Sequence, residues 1–349
     1  MTDCYLGRMK TWTIIGESAS APGGTGSNPM LAVHDLERVT GWEQKPEGWC
    51  RGTECIPASL IGPAAQATQL SAAKVAEALG AAVAIDQKHR IAVIGTRVDA
   101  SRTLRSGKAP DLSLLGVDGA QHGLFDNAAG KTMVVAFSSW CGCRYDLPGW
   151  KALKDELAGS SFNVVAVAID ESVQDVLPWA ENIDYPVLVD TDRAFADTYG
   201  LTNVPTVFWL DEERNIVRQP SAEFSDDQFT EIHGVASAPH LDAVRHWVLN
   251  DQLPDAESQP TEQIGELSKD QRQARTEFRL ALELQRLGFE DAARARVALA
   301  DRLAPDDFTI WRAGMKLTGE DPFGAEFFDR YTEWQQRHGG PLQVVASPL

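Results

Sequence analysis

Residues 131–139 read KTMVVAFSS and residues 163–170 read NVVAVAID, two near-continuous apolar runs bounded by polar residues. Runs of that length predict central strands buried on both faces. Between them, residues 148–157 show a helical period, and TVFWLDEERNIVR at 206–218 predicts two strands joined at an acidic turn. Strand, helix, strand, helix and hairpin together predict an α/β domain over residues 107–255, with a central sheet and helices on both faces.

The pattern before residue 107 is more broken. A short strand is expected at 12–15, followed by SASAPGGTGSNP, a glycine-rich connection that lacks the Gly-Lys-Ser/Thr ending of a phosphate cradle. MLAVHDLERVTGW at 30–42 has helical spacing, and QKPEGWCRGTECIP at 44–57 reads as a loop punctuated by proline and glycine. A helix at 71–79 and strands in AAVAID and RIAVIG complete a small N-terminal α/β domain over 1–106.

After a polar linker, LPDAESQPTEQIGELS, the period changes again. Residues 269–303 predict two antiparallel helices joined at Gly288 and stopped at Pro305. Gly288, Ala292, Ala293, Ala300 and Pro305 are laid out as in a single tetratricopeptide-type (TPR-like) repeat, so 256–349 is expected to be a helical C-terminal domain. It either packs on its own protein or offers a docking surface to a protein partner. Trp179, Trp209, Trp247, Trp311 and Trp334 fall at helix or strand periods and are expected in cores.

The chain has 349 residues, 43% of them hydrophobic and 23% charged, with a formal net charge of -18. That length suits two or three globular domains, and that charge repels nucleic-acid phosphate and anionic lipid. No nucleic-acid or membrane partner is therefore expected. The N-terminal MTDCYLGRMKTWTIIGES has no basic leader with an apolar core, and no run of about 18 apolar residues occurs, which gives a cytoplasmic expectation.

In a reducing compartment, close cysteine pairs point to redox or metal chemistry more than to structural cross-links. There are five cysteines: Cys4, expected inert, and the pairs Cys50/Cys55 and Cys141/Cys143. The second pair stands in SSWCGCRYDLP, where a buried strand runs into Trp140-Cys141 and a helix is expected just beyond. A helix N-terminus offers unpaired amides and positive potential that lower a thiol pKa, and the thiolate is the nucleophile. Arg144 adds a nearby positive charge.

Four stretches, APDLSLLGVDG, VVAFSSWCGCRYDLP, YPVLVDTDRAFADTYGL and NVPTVFWLDEERNIV, occur in the order found in the thioredoxin superfamily. The segment resembles its redoxin branch, which includes TlpA- and ResA-type thiol-disulfide oxidoreductases and alkyl hydroperoxide reductase (AhpC/TSA-like) proteins. The resemblance implies a thioredoxin fold, a dithiol of Cys141 and Cys143 separated by Gly142, and a cis-proline loop at Val204, Pro205 and Thr206. Trp140 is expected to shape the entrance, Cys141 to attack and Cys143 to resolve.

One residue is missing relative to the usual Trp-Cys-Gly-Pro-Cys motif, leaving a Cys-x-Cys (CxC) pair. So small a disulfide ring is expected to be easily reduced. The implied activity is thiol-disulfide exchange on a protein or low-molecular-weight thiol or disulfide, with no cofactor beyond the cysteines.

Three alternatives stay open: a thiol peroxidase, a soft-metal-binding or organometal-processing protein, and a binding module whose thiols idle. A thiol peroxidase would place Pro and Thr/Ser ahead of the cysteine; here Val134 and Ala136 stand at the proline positions, although Ser138 lies three before Cys141. Four thiolates could instead hold Zn, Cu or Hg, though neither pair has zinc-type spacing. His233, His240 and His246 could approach the dithiol. Cys50 and Cys55 are expected to be a secondary redox pair, a metal pair or an unreactive one.

Overall fold

The computed structural model describes residues 11–17, 19–52, 54–97, 104–126, 128–254, 261, 264–338 and 344–346. Cys4 and the expectations attached to the first ten residues lie outside them. Contacts group the chain into two compact units: the residues before Val98 with Ser268–Ala304, and the following residues to Leu267 with those from Pro305 onward. The segment 256–349, expected as one helical domain, is thus shared between the two. Each unit is mixed α/β with added helices.

In the first unit the strands, in chain order, are β1 (Thr13–Ile15), β2 (Ser20–Pro22), β3 (Met30–Ala32), β4 (Glu43–Lys45), β5 (Gly48–Arg51), β6 (Glu54–Pro57), β7 (Gln69–Ser71), β8 (Val83–Asp86) and β9 (Ile91–Ile94). A four-stranded sheet runs β2-β1-β9-β8. Side chains alternate along β9 as the pleat requires. Ala92 and Ile94 join a core containing Ile14, Trp42, Trp49, Val75 and Leu79. Ile91 and Val93, with Ala84, pack on Leu280, Leu284 and Ala293.

Those last three residues belong to the helices Lys269–Arg286 and Glu290–Leu303, which turn at Gly288 with φ 81°. The expected helical pair therefore exists, but as one hairpin whose apolar face covers a sheet rather than as a TPR-like repeat. Its entry is fixed by a capping box of Ser268 and Gln271.

Two N-terminal expectations are corrected. Residues 30–42 are not one helix: Met30–Ala32 pairs with β7, and only Leu36–Thr40 is α-helical, closing at Gly41 with φ 72°. Residues 44–57 are not a loop, because β4, β5 and β6 form an antiparallel sheet across them. The proline and glycines sit at its turns. Gly48 has φ 149°, and a Cβ there would stand 1.9 Å from the Ile56 carbonyl oxygen, so glycine is needed for the pairing itself.

The second unit contains β10 (Ser113–Gly116), β11 (Gln121–Gly123), β12 (Thr132–Phe137), β13 (Asn163–Ala168), β14 (Val187–Val189) and β15 (Thr206–Leu210). They form one sheet in the order β11-β10-β14-β13-β12-β15. β12 pairs parallel with β13 and antiparallel with β15, and every residue of β12 is buried, as its apolar run predicts. The second half of the expected hairpin makes only isolated bridges, Leu210 with Ile216 and Lys108 with Asn215. Acceptor groups of Asp211 hold the turn between them.

Residues far along the chain brace this sheet. Thr202 donates its amide to the Val344 carbonyl at 2.9 Å, and Ala346 donates to Gly200 at 2.9 Å. Phe308 donates to the Thr202 carbonyl at 2.8 Å, so the helix Phe308–Thr318 starts from the same loop.

Asp146, buried at the end of the turn that precedes helix Leu147–Glu156, ties that helix to the chain at Ser225. Its carboxylate accepts the amides of Ser225 at 2.6 Å and Asp226 at 3.3 Å. Burial pushes its pKa up to about 7, against those donors, and the charge of Asp226 adds to the rise.

A folded-state pKa above the unfolded value means that the folded protein keeps a proton which the unfolded chain releases. This contribution to stability is therefore present at low pH and lost as pH rises from about 4 through 7. Asp146→Asn keeps an oxygen acceptor and removes the titration. Urea unfolding at pH 5 and pH 8 should show the variant gaining on wild type at pH 8, by on the order of 2–4 kcal/mol. An equal difference at both pH values would remove Asp146 as the source.

Candidate active site

β12 ends at Phe137, and the chain then passes through Ser138 and Ser139 to the cysteines. One carboxylate holds this passage. Asp170, 1% exposed just beyond β13, accepts the Ser138 hydroxyl at 2.8 Å, the Ser139 amide at 2.9 Å and also the Ser139 hydroxyl. Burial raises its pKa while the three donors oppose the rise. Because the Ser138 hydroxyl gives its hydrogen to Asp170, it cannot also donate to a peroxide at Cys141.

Cys141 and Cys143 are joined as a disulfide, with Cα atoms 5.1 Å apart. Cys141 precedes a 3₁₀ turn, Gly142–Asp146, that runs into helix Leu147–Glu156. Its sulfur accepts the Cys143 amide at 3.3 Å and lies 3.6 Å from the Val204 carbonyl oxygen. The Val204–Pro205 bond is cis. The Asn203 side chain accepts the Val204 amide at 2.8 Å, and the Thr206 hydroxyl donates to the Asn203 carbonyl at 2.7 Å. The loop is thereby fixed opposite the disulfide.

A pocket, partly open to solvent, adjoins this pair. Cys141, Gly142, Cys143, Asn203, Val204 and Pro205 form its floor, and Phe224, Phe229, Phe308, Phe323, Phe327 and Phe328 are among its walls. The rings press on the dithiol turn. A Cβ at Gly142 would stand 3.0 Å from Phe229 and 3.3 Å from Phe323, and those two rings meet edge to face at 5.6 Å. Cys141 and Cys143 are left only 5% and 4% exposed.

Three supporting residues behave differently from expectation. Trp140 is buried and does not line the pocket; the Arg312 guanidinium lies over its ring at 4.9 Å. Thr206 is fully buried and acts on the loop backbone rather than in the pocket. Arg144 turns from the sulfur to the main chain, donating to the carbonyls of Ser139 at 3.1 Å and Cys141 at 3.2 Å. Its guanidinium packs on the rings of Trp179 and Tyr145. Trp179, placed in the core by its period, is accordingly half-buried. Trp209, Trp247, Trp311 and Trp334 are buried.

Of the three histidines, only His233 lines the pocket. Its ring stacks on Phe224 at 3.7 Å, and Nδ1 accepts the Val235 amide at 3.1 Å, which places the proton of the neutral ring on Nε2. Burial holds its pKa below the usual value.

Arg312 was not singled out by the sequence. It is 3% exposed, stacks on Phe327 at 3.8 Å and donates to the Pro322 carbonyl through Nε and Nη2. Burial, then the charge of Arg144, lowers its pKa to about 9. The available signal for this wall was the spacing of Phe327, Tyr331 and Trp334, which puts three rings on one helix face.

Cys50 and Cys55 stand in the other unit. They face each other across β5 and β6, with Cα atoms 4.1 Å apart, and form a second disulfide. Cys50 is buried and Cys55 exposed. Their sulfurs and the Glu47 carboxylate lie within 4.8 Å of one another, but sulfurs paired in a disulfide are not thiolate ligands.

Residues 106–219 match the AhpC/TSA family model. The thiol-disulfide oxidoreductase ResA of Geobacillus thermodenitrificans is 24% identical over 111 residues, which cover 31% of this chain and 64% of that protein. ResA of Bacillus subtilis is 26% identical over 113 residues, covering 32% and 63%. The chain thus spans just under two thirds of the length of these relatives.

Among solved structures, a thiol:disulfide interchange protein of the thioredoxin family from Chlorobium tepidum matches with TM-score 0.30 and 27% identity, over 34% of this chain and 89% of that one. StoA of Bacillus subtilis matches with TM-score 0.29 and 20% identity, over 36% and 97%. The sheet of the second unit, the Cys141–Cys143 turn and the cis-proline loop all lie within or beside the matched residues. Residues 106–219 are thus similar to the redoxin branch of the thioredoxin-like superfamily.

Proposed function

We propose that the protein is a thiol-disulfide oxidoreductase whose working pair is Cys141 and Cys143. The observation that carries this reading is the disulfide itself, set on a pocket floor against the Val204–Pro205 loop. The relatives matched over this segment are thiol-disulfide oxidoreductases, which agrees with it. In the reduced form, the Cys141 sulfur stands where the Cys143 amide and the start of the turn favour a thiolate.

The Cys141 thiolate attacks one sulfur of a substrate disulfide and expels the other as a thiolate. Cys143 then attacks the Cys141 sulfur, which releases the second substrate thiol and re-forms the Cys141–Cys143 bond. Two electrons pass to the substrate, and its two thiols take up two protons. Run backward, the same steps oxidise a dithiol. Arg144 contributes by holding the carbonyls of the dithiol loop, and Pro205 by presenting the Val204 carbonyl beside the sulfur.

Cys50 and Cys55 are proposed as a separate reducible pair. An incoming thiolate reaches the exposed Cys55 sulfur and displaces Cys50 as the leaving group. The partner is a protein or small thiol or disulfide.

Two measurements test these assignments. In Cys143→Ser, a substrate disulfide should accumulate as a stable adduct on Cys141, whereas Cys141→Ser should trap at least tenfold less; mass spectrometry of the peptides reads both. Trapping mainly on Cys143 would reverse the roles. Partial reduction of wild type with glutathione should place the adduct of the second pair on Cys55. Adducts on Cys50, or a pair that stays closed at every glutathione ratio, would end its redox role.

A further inference from the structure

We infer that the dithiol site selects substrates whose reacting sulfur is carried beside a bulky apolar group, in preference to hydrophilic or charged thiols and disulfides. This rests on the oxidoreductase reading and adds the substrate class. The first observation is access. With Cys141 and Cys143 only 5% and 4% exposed and two rings packed over Gly142, a reacting sulfur must enter by way of the pocket.

The second observation is what the pocket offers a ligand. Phe224, Phe229, Phe308, Phe323, Phe327 and Phe328 surround the pair. The charged lining residue Arg312 has three main-chain hydrogen bonds to Pro322 and Trp140 carbonyls and two ring faces against it, so its guanidinium is already engaged. Burial holds the pKa of His233 below the usual value, and its buried Nε2, which has no hydrogen-bond partner among the described residues, offers one donor. A carboxylate or ammonium entering with the sulfur loses water and finds little to replace it, whereas an apolar group gains by burial.

The third observation concerns origin. All six rings lie outside residues 106–219, the segment shared with the family. The walls are contributed by the stretch after β15 and by the helices Phe308–Thr318 and Ala325–His338 with the turn between them. The cysteine pair thus lies inside the matched segment, while the rings around it are supplied by other parts of this chain.

The reaction that reads the selectivity is the opening of the oxidised pair. A substrate thiolate attacks the Cys141 sulfur, the bond to Cys143 breaks, and Cys143 leaves as a thiolate. A second substrate thiolate then attacks the bound substrate sulfur, giving the substrate disulfide and freeing Cys141. Two substrate thiols are oxidised as one protein disulfide is reduced.

The test compares rates of opening of the Cys141–Cys143 bond by benzyl mercaptan and by 2-mercaptoethanol in the full chain, each rate corrected for the thiolate fraction. Rapid acid quench, alkylation and peptide mass spectrometry give the rates. Wild type should favour benzyl mercaptan by roughly ten- to a hundredfold, the range set by burying one aromatic group. In Phe323→Ser with Phe328→Ser the ratio should fall toward one, and Phe323→Leu, which keeps an apolar side chain, should retain most of it.

A ratio near one in wild type, or one unchanged in the double variant while both thiols still open the pair, overturns the selectivity and leaves the oxidoreductase reading standing. If neither thiol opens the pair, both fall. Two short peptides, Ala-Phe-Cys-Ala and Ala-Asp-Cys-Ala, distinguish the source of the apolar group. Preference for the first supports a polypeptide substrate, and preference confined to benzyl mercaptan supports a small apolar thiol.

Discussion

The Asp170 carboxylate is the constraint on which the dithiol site depends. It gathers three donors from Ser138 and Ser139 at the point where β12 gives out, and so decides where the next residues go. An ionisable group nearly sealed from solvent is costly unless hydrogen bonds satisfy it, and here the bonds that satisfy it are those that shape the loop. Loss of any donor would leave charge or lone pairs unmatched in the interior. The carboxylate therefore links the edge of the sheet to the direction in which Cys141 points.

Above that fixed floor the site is closed by apolar surface rather than by polar contacts. Gly142 is part of the reason. The absence of a side chain between the two cysteines lets Phe229 and Phe323 come within van der Waals reach of the turn. The Arg312 guanidinium, covered by rings on both sides, joins helix Phe308–Thr318 to Trp140 and the Pro322 carbonyl. Cation and aromatic faces pack here with no salt-bridged carboxylate among the described residues, Asp321 acting only through its charge, an arrangement that arginine tolerates better than lysine because its charge is delocalised and weakly hydrated.

The parts legible in the sequence were those with strong local patterns. The apolar run of β12 and the Cys141-Gly142-Cys143 turn could be placed from the chain alone, and so could the helix pair around Gly288. The three-stranded sheet of β4, β5 and β6 was hidden because Pro46, Gly48 and Gly52 look like loop residues, whereas they sit at or beside turns and permit close pairing. The walls of the pocket were hidden for a different reason. Phe229 and Phe323 are separated from Gly142 by long stretches of chain, and no spacing rule brings them to it. Tertiary packing alone does so, which is also why Arg312 carried no sequence signal.

The second unit is discontinuous, with residues 268–304 assigned to the other unit between its two parts. During synthesis the chain emerges from its N-terminal end, and folding follows in that order. Cys141 and Cys143 are consequently made, and their sheet can form, well before Phe308, Phe323 and the bracing residues Val344 and Ala346 exist. The aromatic walls supplied by residues 308–331 are thus the last part of the pocket to be made.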